Sequence, residues 1–256
     1  MAYTVALGGK GGTGKTTIAG LLIRYMIGHG MKPILAIDAD SNANLNDVLG
    51  VSLEETLSDA REQMKTDVPA GMTKDIFMEL KVEQSLVEGE GFDLVAMGRP
   101  EGPGCYCAAN NLLSSLIDRL MNNYDYLVVD NEAGMEHFSR LTQTDVELLL
   151  LVSDPSRRGL TAACRIAELV RSLPIRVAET VLLVNQMETV PTTWPEDVMK
   201  TFGLERIIVL PADPLLAQFD LEGKPTATLP DDSPIVKATE ALFDRLLGGN
   251  QRKLGN

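Results

Sequence analysis

A glycine-rich stretch with two lysines and three threonines, residues 8–17, has residue types and a spacing suited to phosphate chemistry. It reads Gly-Gly-Lys-Gly-Gly-Thr-Gly-Lys-Thr-Thr and follows a short apolar run. From Gly9 to Thr16 the spacing fits Gly-x-x-x-x-Gly-Lys-Ser/Thr, in which glycines let backbone N–H groups close around a polyphosphate. A helix that begins there adds the positive end of its dipole. The stretch therefore predicts a nucleotide phosphate site, the alternative being a glycine-rich turn without function.

The side chains of this loop suggest individual roles. Lys15 is placed to contact the terminal phosphates, and the hydroxyl of Thr16 to bind the magnesium ion that accompanies them. The predicted nucleotide-binding residues of the loop are Gly9, Lys10, Gly11, Gly12, Thr13, Gly14, Lys15, Thr16 and Thr17.

Carboxylates follow two of the later apolar runs. Asp38 and Asp40 stand one residue apart after the second predicted strand, and Asp130 ends the run that begins at Tyr126. The carboxyl ends of parallel strands form the edge of a sheet where ligands bind. Phosphoryl transfer needs groups at such an edge to hold the metal and to orient water. A capped turn before a helix is the alternative reading of the first pair.

Cys105 and Cys107 form a Cys-x-Cys pair in residues 98–107, a glycine- and proline-rich stretch that we predict to be a loop. Two thiolates cannot complete a tetrahedral site. The same pair from a second subunit would give four sulfurs, which suit zinc, nickel, copper(I) or an iron–sulfur cluster. Loop cysteines without a role are the alternative, and Cys164 is predicted to be a small buried apolar residue.

Apolar runs alternate with helical patterns along the chain, which is typical of βαβ units. We expect an α/β fold, a mainly parallel, doubly wound P-loop sheet with helices on both faces. Nothing divides the 256 residues, so one domain is predicted. The predicted strands are Tyr3–Gly8, Pro33–Asp38, Phe92–Met97, Tyr126–Asp130, Glu147–Ser153, Glu179–Asn185 and Ile207–Pro211. The predicted helices are Thr16–Ile27, Ala109–Met121, Arg157–Leu173, Pro195–Phe202 and Pro234–Leu247.

Residues 51–91 differ from the rest because they are acidic, rich in methionine and without a continuous strand pattern. They predict short helices that cover the edge of the sheet. A docking surface for a client protein is the alternative interpretation.

The net charge of −13 argues against nucleic acid or an anionic membrane as the main partner. No apolar run approaches the ~20 residues of a membrane span, and no signal peptide is recognisable. We therefore expect a cytoplasmic protein whose three cysteines are thiols or metal ligands.

Lys10 is a second lysine in the loop, where the minimal motif requires none. A lysine there can cross a subunit interface and contact phosphates bound by the partner, as an arginine finger does. In this respect the sequence resembles the deviant-loop ATPases: the nitrogenase iron protein, the Min and Par partition ATPases, and metal-insertion ATPases. The resemblance implies a homodimer closed by ATP.

The same resemblance implies roles for further residues, with ATP or ADP and Mg²⁺ as cofactors. Asp40 would position the attacking water, so the implied catalytic residues are Lys10, Lys15 and Asp40. Thr16, Asp38 and Asp130 would support magnesium, with Asp38 acting on either the ion or its loop. Asn185, Pro211 and Asp213 would frame the adenine and ribose, although turn residues at strand ends are the alternative there.

Two stretches narrow the resemblance to the CooC-type ATPases that mature nickel-containing carbon monoxide dehydrogenase. They are Cys105-Tyr106-Cys107 and Asp-Asn-Glu-Ala-Gly-Met-Glu-His at residues 130–137. This implies insertion of nickel into carbon monoxide dehydrogenase or acetyl-CoA synthase, with Ni²⁺ or Zn²⁺ between Cys105 and Cys107 of two subunits. The nitrogenase iron protein has its second cluster cysteine in the segment that corresponds to residues 130–137. This chain has no cysteine there, and His137 stands near that position. An iron–sulfur redox protein and a MinD- or ParA-like spatial organiser remain the alternatives.

Overall fold

The computed structural model describes residues 2–99, 107–132 and 144–248, with the backbone alone for residues 107–112. Its described strands form one eight-stranded sheet in the order β3-β4-β2-β5-β1-β6-β7-β8. All neighbouring strands are parallel except β3 and β4. The strands are β1 (Tyr3–Gly8), β2 (Ile34–Ala39), β3 (Val87–Glu88), β4 (Asp93–Ala96), β5 (Tyr126–Asn131), β6 (Val146–Ser153), β7 (Val177–Val184) and β8 (Ile207–Val209).

The described residues also form nine helices, together with 3-10 turns at Leu204–Arg206 and Thr226–Thr228. The helices are α1 (Lys15–Gly28), α2 (Leu45–Leu49), α3 (Leu57–Thr66), α4 (Lys74–Gln84), α5 (Cys107–Met121), α6 (Arg157–Val170), α7 (Glu196–Phe202), α8 (Pro214–Glu222) and α9 (Pro234–Leu247).

Hydrophobic cores lie on both faces of the sheet. Leu127 and Val129 of β5 pack in the core beneath α3 to α7, whereas Val128 packs in the core beneath α1 and α9. Successive side chains of a strand point to opposite faces, so a strand covered on both sides must be apolar throughout. The structure therefore confirms the predicted doubly wound α/β fold.

The predicted strands all form, with ends within two residues of those expected. Helix α9 begins and ends at the predicted residues. Its start was clear in the sequence because Ser233 and Pro234 are typical of a helix N-terminus. Helix α6 ends at Val170, three residues before its predicted end. Helices α2 and α8 were not predicted, although the Asp213-Pro214 start of α8 is a recognisable signal.

Two other predictions need correction. Residues 51–91 do form the helices α3 and α4, but they also contain β3, whose two residues gain strand geometry by pairing with β4. The cysteine segment was predicted to be a loop as far as Cys107, whereas Cys107 is the first residue of α5, two residues before the predicted start. Cys105 lies outside the described residues.

Helices long and apolar enough to cross a membrane are absent from the described part of the chain.

Candidate functional site

The phosphate loop connects β1 to α1, and its glycines occupy positions that other residues would strain. Gly9 has φ 144° and Gly14 has φ 92°. A Cβ atom on Gly9 would lie 2.1 Å from the carbonyl oxygen of Val152 in β6. The loop therefore passes against the neighbouring strand in a path that only glycine allows.

Lys15 is buried at the start of α1, and its side chain turns back into the loop. Its Nζ lies 3.4 Å from the carbonyl oxygen of Lys10, which also accepts a 2.8 Å hydrogen bond from the hydroxyl of Thr13. Burial lowers the pKa of Lys15, while the charges of Asp130 and Asp40 oppose that shift. The loop is thus already closed around a cation that suits a phosphate.

Lys10 has the opposite environment. Its backbone carbonyl is held inside the loop by the two bonds just described, but the residue is exposed to solvent. Its side chain forms no ion pair within residues 2–99, 107–132 and 144–248.

Asp38 and Asp130 lie side by side, since the residues are opposite each other on the parallel neighbours β2 and β5. Both are 1% exposed. The two oxygens of Asp38 accept hydrogen bonds from the backbone N–H groups of Asp40 (3.0 Å) and Leu45 (2.9 Å). Burial raises the pKa of Asp38, and these two bonds oppose the shift. Asp38 therefore shapes the loop that carries Asp40.

Asp130 has fewer partners. Burial raises its pKa to about 7; a hydrogen bond with Thr16 and the charge of Lys15 lower it, whereas Asp38 raises it further. Its Oδ1 atom is buried without a hydrogen-bond partner among the described residues. A buried carboxylate oxygen without a donor is costly unless a ligand satisfies it. With the Thr16 hydroxyl, it offers the hard oxygen ligands that Mg²⁺ prefers.

Asp40 is half-buried in the turn after β2. Its Oδ1 atom accepts a 2.9 Å hydrogen bond from the N–H of Asn42. The hydroxyl of Ser41 lies 3.5 Å from Oε2 of Glu132, just after β5. The loops after β2 and β5 therefore meet at this edge. Glu132, whose charge also favours the charged form of Lys15, was not predicted as a site residue.

Asn185 follows β7 and contacts the phosphate loop directly. Its Nδ2 atom donates a 2.9 Å hydrogen bond to the carbonyl oxygen of Thr13. A Cβ atom on Gly14 would lie 2.5 Å from this nitrogen. The structure thus brings the predicted base-side residue Asn185 to the phosphate loop, where it holds the backbone in place.

Asp213 is buried between β8 and α8, two residues after the half-buried Pro211. It accepts hydrogen bonds from the backbone N–H groups of Leu215, Leu216 and Ile235 and from the hydroxyl of Ser233. Burial alone would raise the pKa of Asp213, but these bonds hold it below its ordinary value. The contacts of Asp213 join the starts of α8 and α9, and its predicted role toward the nucleotide stays a prediction.

The soft-metal site predicted at Cys105 and Cys107 is not covered by the described residues, since Cys105 lies outside them and only the backbone of Cys107 is described. His137, which was not predicted to be a ligand, also lies outside them. Within the described ranges, no group of three or more histidine, cysteine, aspartate or glutamate side chains could hold a metal ion. Cys164 is buried in the core, as predicted, and burial raises the pKa of its thiol.

The sheet order, the glycine-rich loop and the paired aspartates define a P-loop ATPase. A family model described as "AAA domain" matches residues 4–181. The chain belongs to this family, AAA_31.

Two relatives are similar over nearly the whole chain. An uncharacterized ATP-binding protein of Methanocaldococcus jannaschii is 38% identical over 248 residues, which are 95% of this chain and 98% of the relative. The carbon monoxide dehydrogenase accessory protein CooC of Rhodospirillum rubrum is 33% identical over 253 residues, which are 93% of this chain and 87% of CooC.

Solved structures share the fold. MinD of Pyrococcus horikoshii in complex with Mg-ADP has a TM-score of 0.67 and 20% identity, with 96% of both chains covered. A chain of the MinC:MinD cell division protein complex of Aquifex aeolicus has a TM-score of 0.69 and 23% identity, again with 96% of both chains covered.

Proposed function

We propose that this protein is an ATP-hydrolysing, nucleotide-dependent homodimeric metallochaperone that assists nickel insertion into carbon monoxide dehydrogenase or acetyl-CoA synthase. The relationship to CooC supports the client, since CooC is described as an accessory protein of carbon monoxide dehydrogenase. Membership of a P-loop ATPase family supports the nucleotide chemistry.

In this proposal the loop Gly9–Thr17 holds the phosphates of ATP, and the buried Lys15 contacts the terminal ones. Thr16 and Asp130 would hold Mg²⁺, which neutralises charge on the phosphates. Asp40 would orient the attacking water from a loop that Asp38 anchors through two backbone hydrogen bonds. Asn185 keeps the loop backbone in its phosphate-binding path.

The environment of Lys10 is the observation that best supports a homodimer. Its carbonyl is fixed by Thr13 and Lys15, yet the residue is exposed and pairs with no carboxylate of the described chain. A lysine held at the rim of the phosphate site is available to a nucleotide bound by a second subunit. Contacts made in this way stabilise the charge that develops during phosphoryl transfer.

Nickel would be the cargo, bound by Cys105 and Cys107 from each of two subunits. Four thiolates from one dimer complete a site that one chain cannot, and Zn²⁺ would compete for it. Because one interface would hold both nucleotide and metal, occupancy of either site changes the affinity of the other by the same factor.

The dimeric mechanism is tested with Lys10→Ala, beside Lys237→Ala as an exposed control on α9. We expect Lys10→Ala to keep nucleotide binding, to lose ATP-driven dimerisation on a sizing column, and to hydrolyse ATP ~10³-fold more slowly. Lys237→Ala should behave as the wild type does. Normal turnover by the Lys10 variant would refute the role in trans.

The metal site is tested by the double variant Cys105→Ala with Cys107→Ala, beside Cys164→Ala. Nickel bound per dimer in the presence of ATP should be lost only from the double variant. If nickel binding is unchanged, the site assignment is wrong. Visible absorbance and labile sulfide in anaerobically purified protein would instead favour the iron–sulfur alternative.

A spatial organiser is the second candidate, because MinD of Thermotoga maritima is 26% identical over 258 residues, 95% of this chain and 87% of MinD. ATP-dependent co-sedimentation with anionic vesicles or with DNA would favour this candidate. The net charge of −13 predicts neither.

A further inference from the structure

Asn131, the last residue of β5, has an environment that neither magnesium binding nor ordinary packing explains. It is 1% exposed. Its Nδ2 atom donates a 2.9 Å hydrogen bond to the carbonyl oxygen of Leu7, 124 positions earlier in the chain. Its Oδ1 atom is buried without a hydrogen-bond partner in the described part of the chain.

The position of Asn131 connects the roots of two loops. Leu7 is opposite Asp130 in the register of β1 and β5, and only Gly8 separates it from Gly9, where the phosphate loop begins. Asn131 itself is opposite Ala39 of β2, next to Asp40. The Asn131 side chain therefore ties the base of the phosphate loop to the start of the segment that follows Asp130.

Asn131 faces away from the proposed magnesium ligands. Successive side chains of a strand alternate, so Asn131 lies on the opposite face from Asp130. That is the face of Val129 and Ala39, whose core includes residues of α5, the helix that begins at Cys107. Asn131 thus stands between the base of the phosphate loop and the side of the sheet on which α5 packs.

A structural role explains the NH₂ group of Asn131 but not its amide oxygen. The NH₂ group satisfies the Leu7 carbonyl at the point where the β1–β5 ladder ends. The amide oxygen has no donor among the described residues, and buried polar atoms without partners are rare because they are costly. An acceptor left open in one state is suited to a donor supplied in another.

We propose that Asn131 is a positioning residue that makes the conformation at the base of the phosphate loop respond to the bound nucleotide. Its NH₂ group holds the Leu7 carbonyl, and its Oδ1 atom accepts an N–H or O–H donor of this chain when ATP is bound. This inference rests on the proposed nucleotide-driven function. Removing the amide leaves nucleotide binding in place and reduces the difference between ATP and ADP.

The test compares Asn131→Asp, which keeps an acceptor but loses the donor, with Asn131→Leu, which loses both. Asn123→Asp, at an exposed position after α5, is the control. The readouts are the ATP-to-ADP affinity ratio and hydrogen exchange of the amides of residues 7–12 with and without ATP. We expect both Asn131 variants to bind ADP as the wild type does, and to lose ~10-fold or more of the preference for ATP. The ATP-induced protection of residues 7–12 should also disappear.

A merely structural role gives a different pattern. If both Asn131 variants are destabilised but keep the wild-type affinity ratio and the ATP-induced protection, the proposal is overturned. These readouts need no dimer and no nickel. A wild type that shows them but never dimerises would therefore count against the proposed function and leave the role of Asn131 standing.

Discussion

Asp130 and Asp213 are both buried aspartates at the edge of the sheet where the parallel strands end, yet their surroundings differ. Asp213 accepts hydrogen bonds from three backbone N–H groups and one hydroxyl, which hold its pKa below the ordinary value despite burial. Asp130 has one buried oxygen without a partner in the described ranges, and burial raises its pKa to about 7.

We infer from this difference that Asp213 holds the fold, whereas Asp130 is available to a ligand. Donors around a carboxylate stabilise its charged form, so the Asp213 site is complete without any ligand. Among the described residues, one oxygen of Asp130 has no donor, and a bound cation would compensate for this. The exposed fractions of Asp130 and Asp213 do not distinguish these two roles, since both residues are buried.

The largest effect should come from Asp130→Asn, because an amide replaces the charged oxygen proposed to hold Mg²⁺. We expect the ATP hydrolysis rate to fall by roughly 10²- to 10³-fold. The Mg²⁺ concentration that gives half-maximal turnover should rise. Asp125→Asn, at an exposed position one residue before β5, is the control. Unchanged turnover and Mg²⁺ dependence in Asp130→Asn would remove Asp130 from the site.

Asp213→Ala should affect stability more than any other single change at this edge. It removes the cap of α8 and leaves the buried donors of Ser233 and Ile235 without an acceptor. The expected loss is about 2–4 kcal/mol in the free energy of unfolding, measured by urea denaturation. The exposed neighbour Asp232→Ala should lose little. A loss below about 1 kcal/mol for Asp213→Ala would make the two aspartates more alike than we infer.

A pH series on nucleotide-free protein sharpens the contrast at Asp130. Its folded pKa, about 7, lies above the ordinary 3.8, so the folded state binds the extra proton between these values. The cost of burying the charge is therefore absent below about pH 4 and complete above about pH 7. A shift of about three pKa units corresponds to roughly 4 kcal/mol, from which the cost of burying the asparagine amide subtracts. Asp130→Asn should therefore be more stable than the wild type at pH 8 by roughly 2 kcal/mol, and the advantage should shrink toward pH 5. If Asp130→Asn and the wild type differ in stability by the same amount at pH 8 and at pH 5, the pKa of Asp130 is not raised.

Ser233→Ala should have the smallest effect, since it removes only one of four donors to Asp213. We expect a loss of ~1 kcal/mol at pH 7. The folded pKa of Asp213 is depressed, so its contribution is present above the unfolded value of 3.8 and disappears as the pH falls through the folded value. Thermal melts at pH 7 and pH 3 measure this difference. If Ser233→Ala loses the same stability at pH 7 and at pH 3, the hydroxyl of Ser233 contributes through packing and not through the charge of Asp213.

Local signals in the sequence predicted most of the secondary structure. The glycine spacing predicted the loop between β1 and α1, and Ser233-Pro234 predicted the start of α9. The two-residue strand β3 left no signal, because its geometry depends on pairing with β4. Helix α8 did leave a capping signal at Asp213-Pro214. The resemblance led us instead to interpret Asp213 as a residue that contacts the nucleotide.

The phosphate loop, the α/β alternation and the candidate carboxylates could be predicted from the sequence, because they depend on spacing along the chain. Which of these residues meet is visible only in the fold. The order β2-β5-β1 places Asp38 beside Asp130, and the position of β7 brings Asn185 to Thr13, 172 residues away. Strand order depends on crossovers between distant segments, which leave no periodic pattern. Whether a buried carboxylate is complete or open depends on donors from those segments, and so it could be known only from the fold.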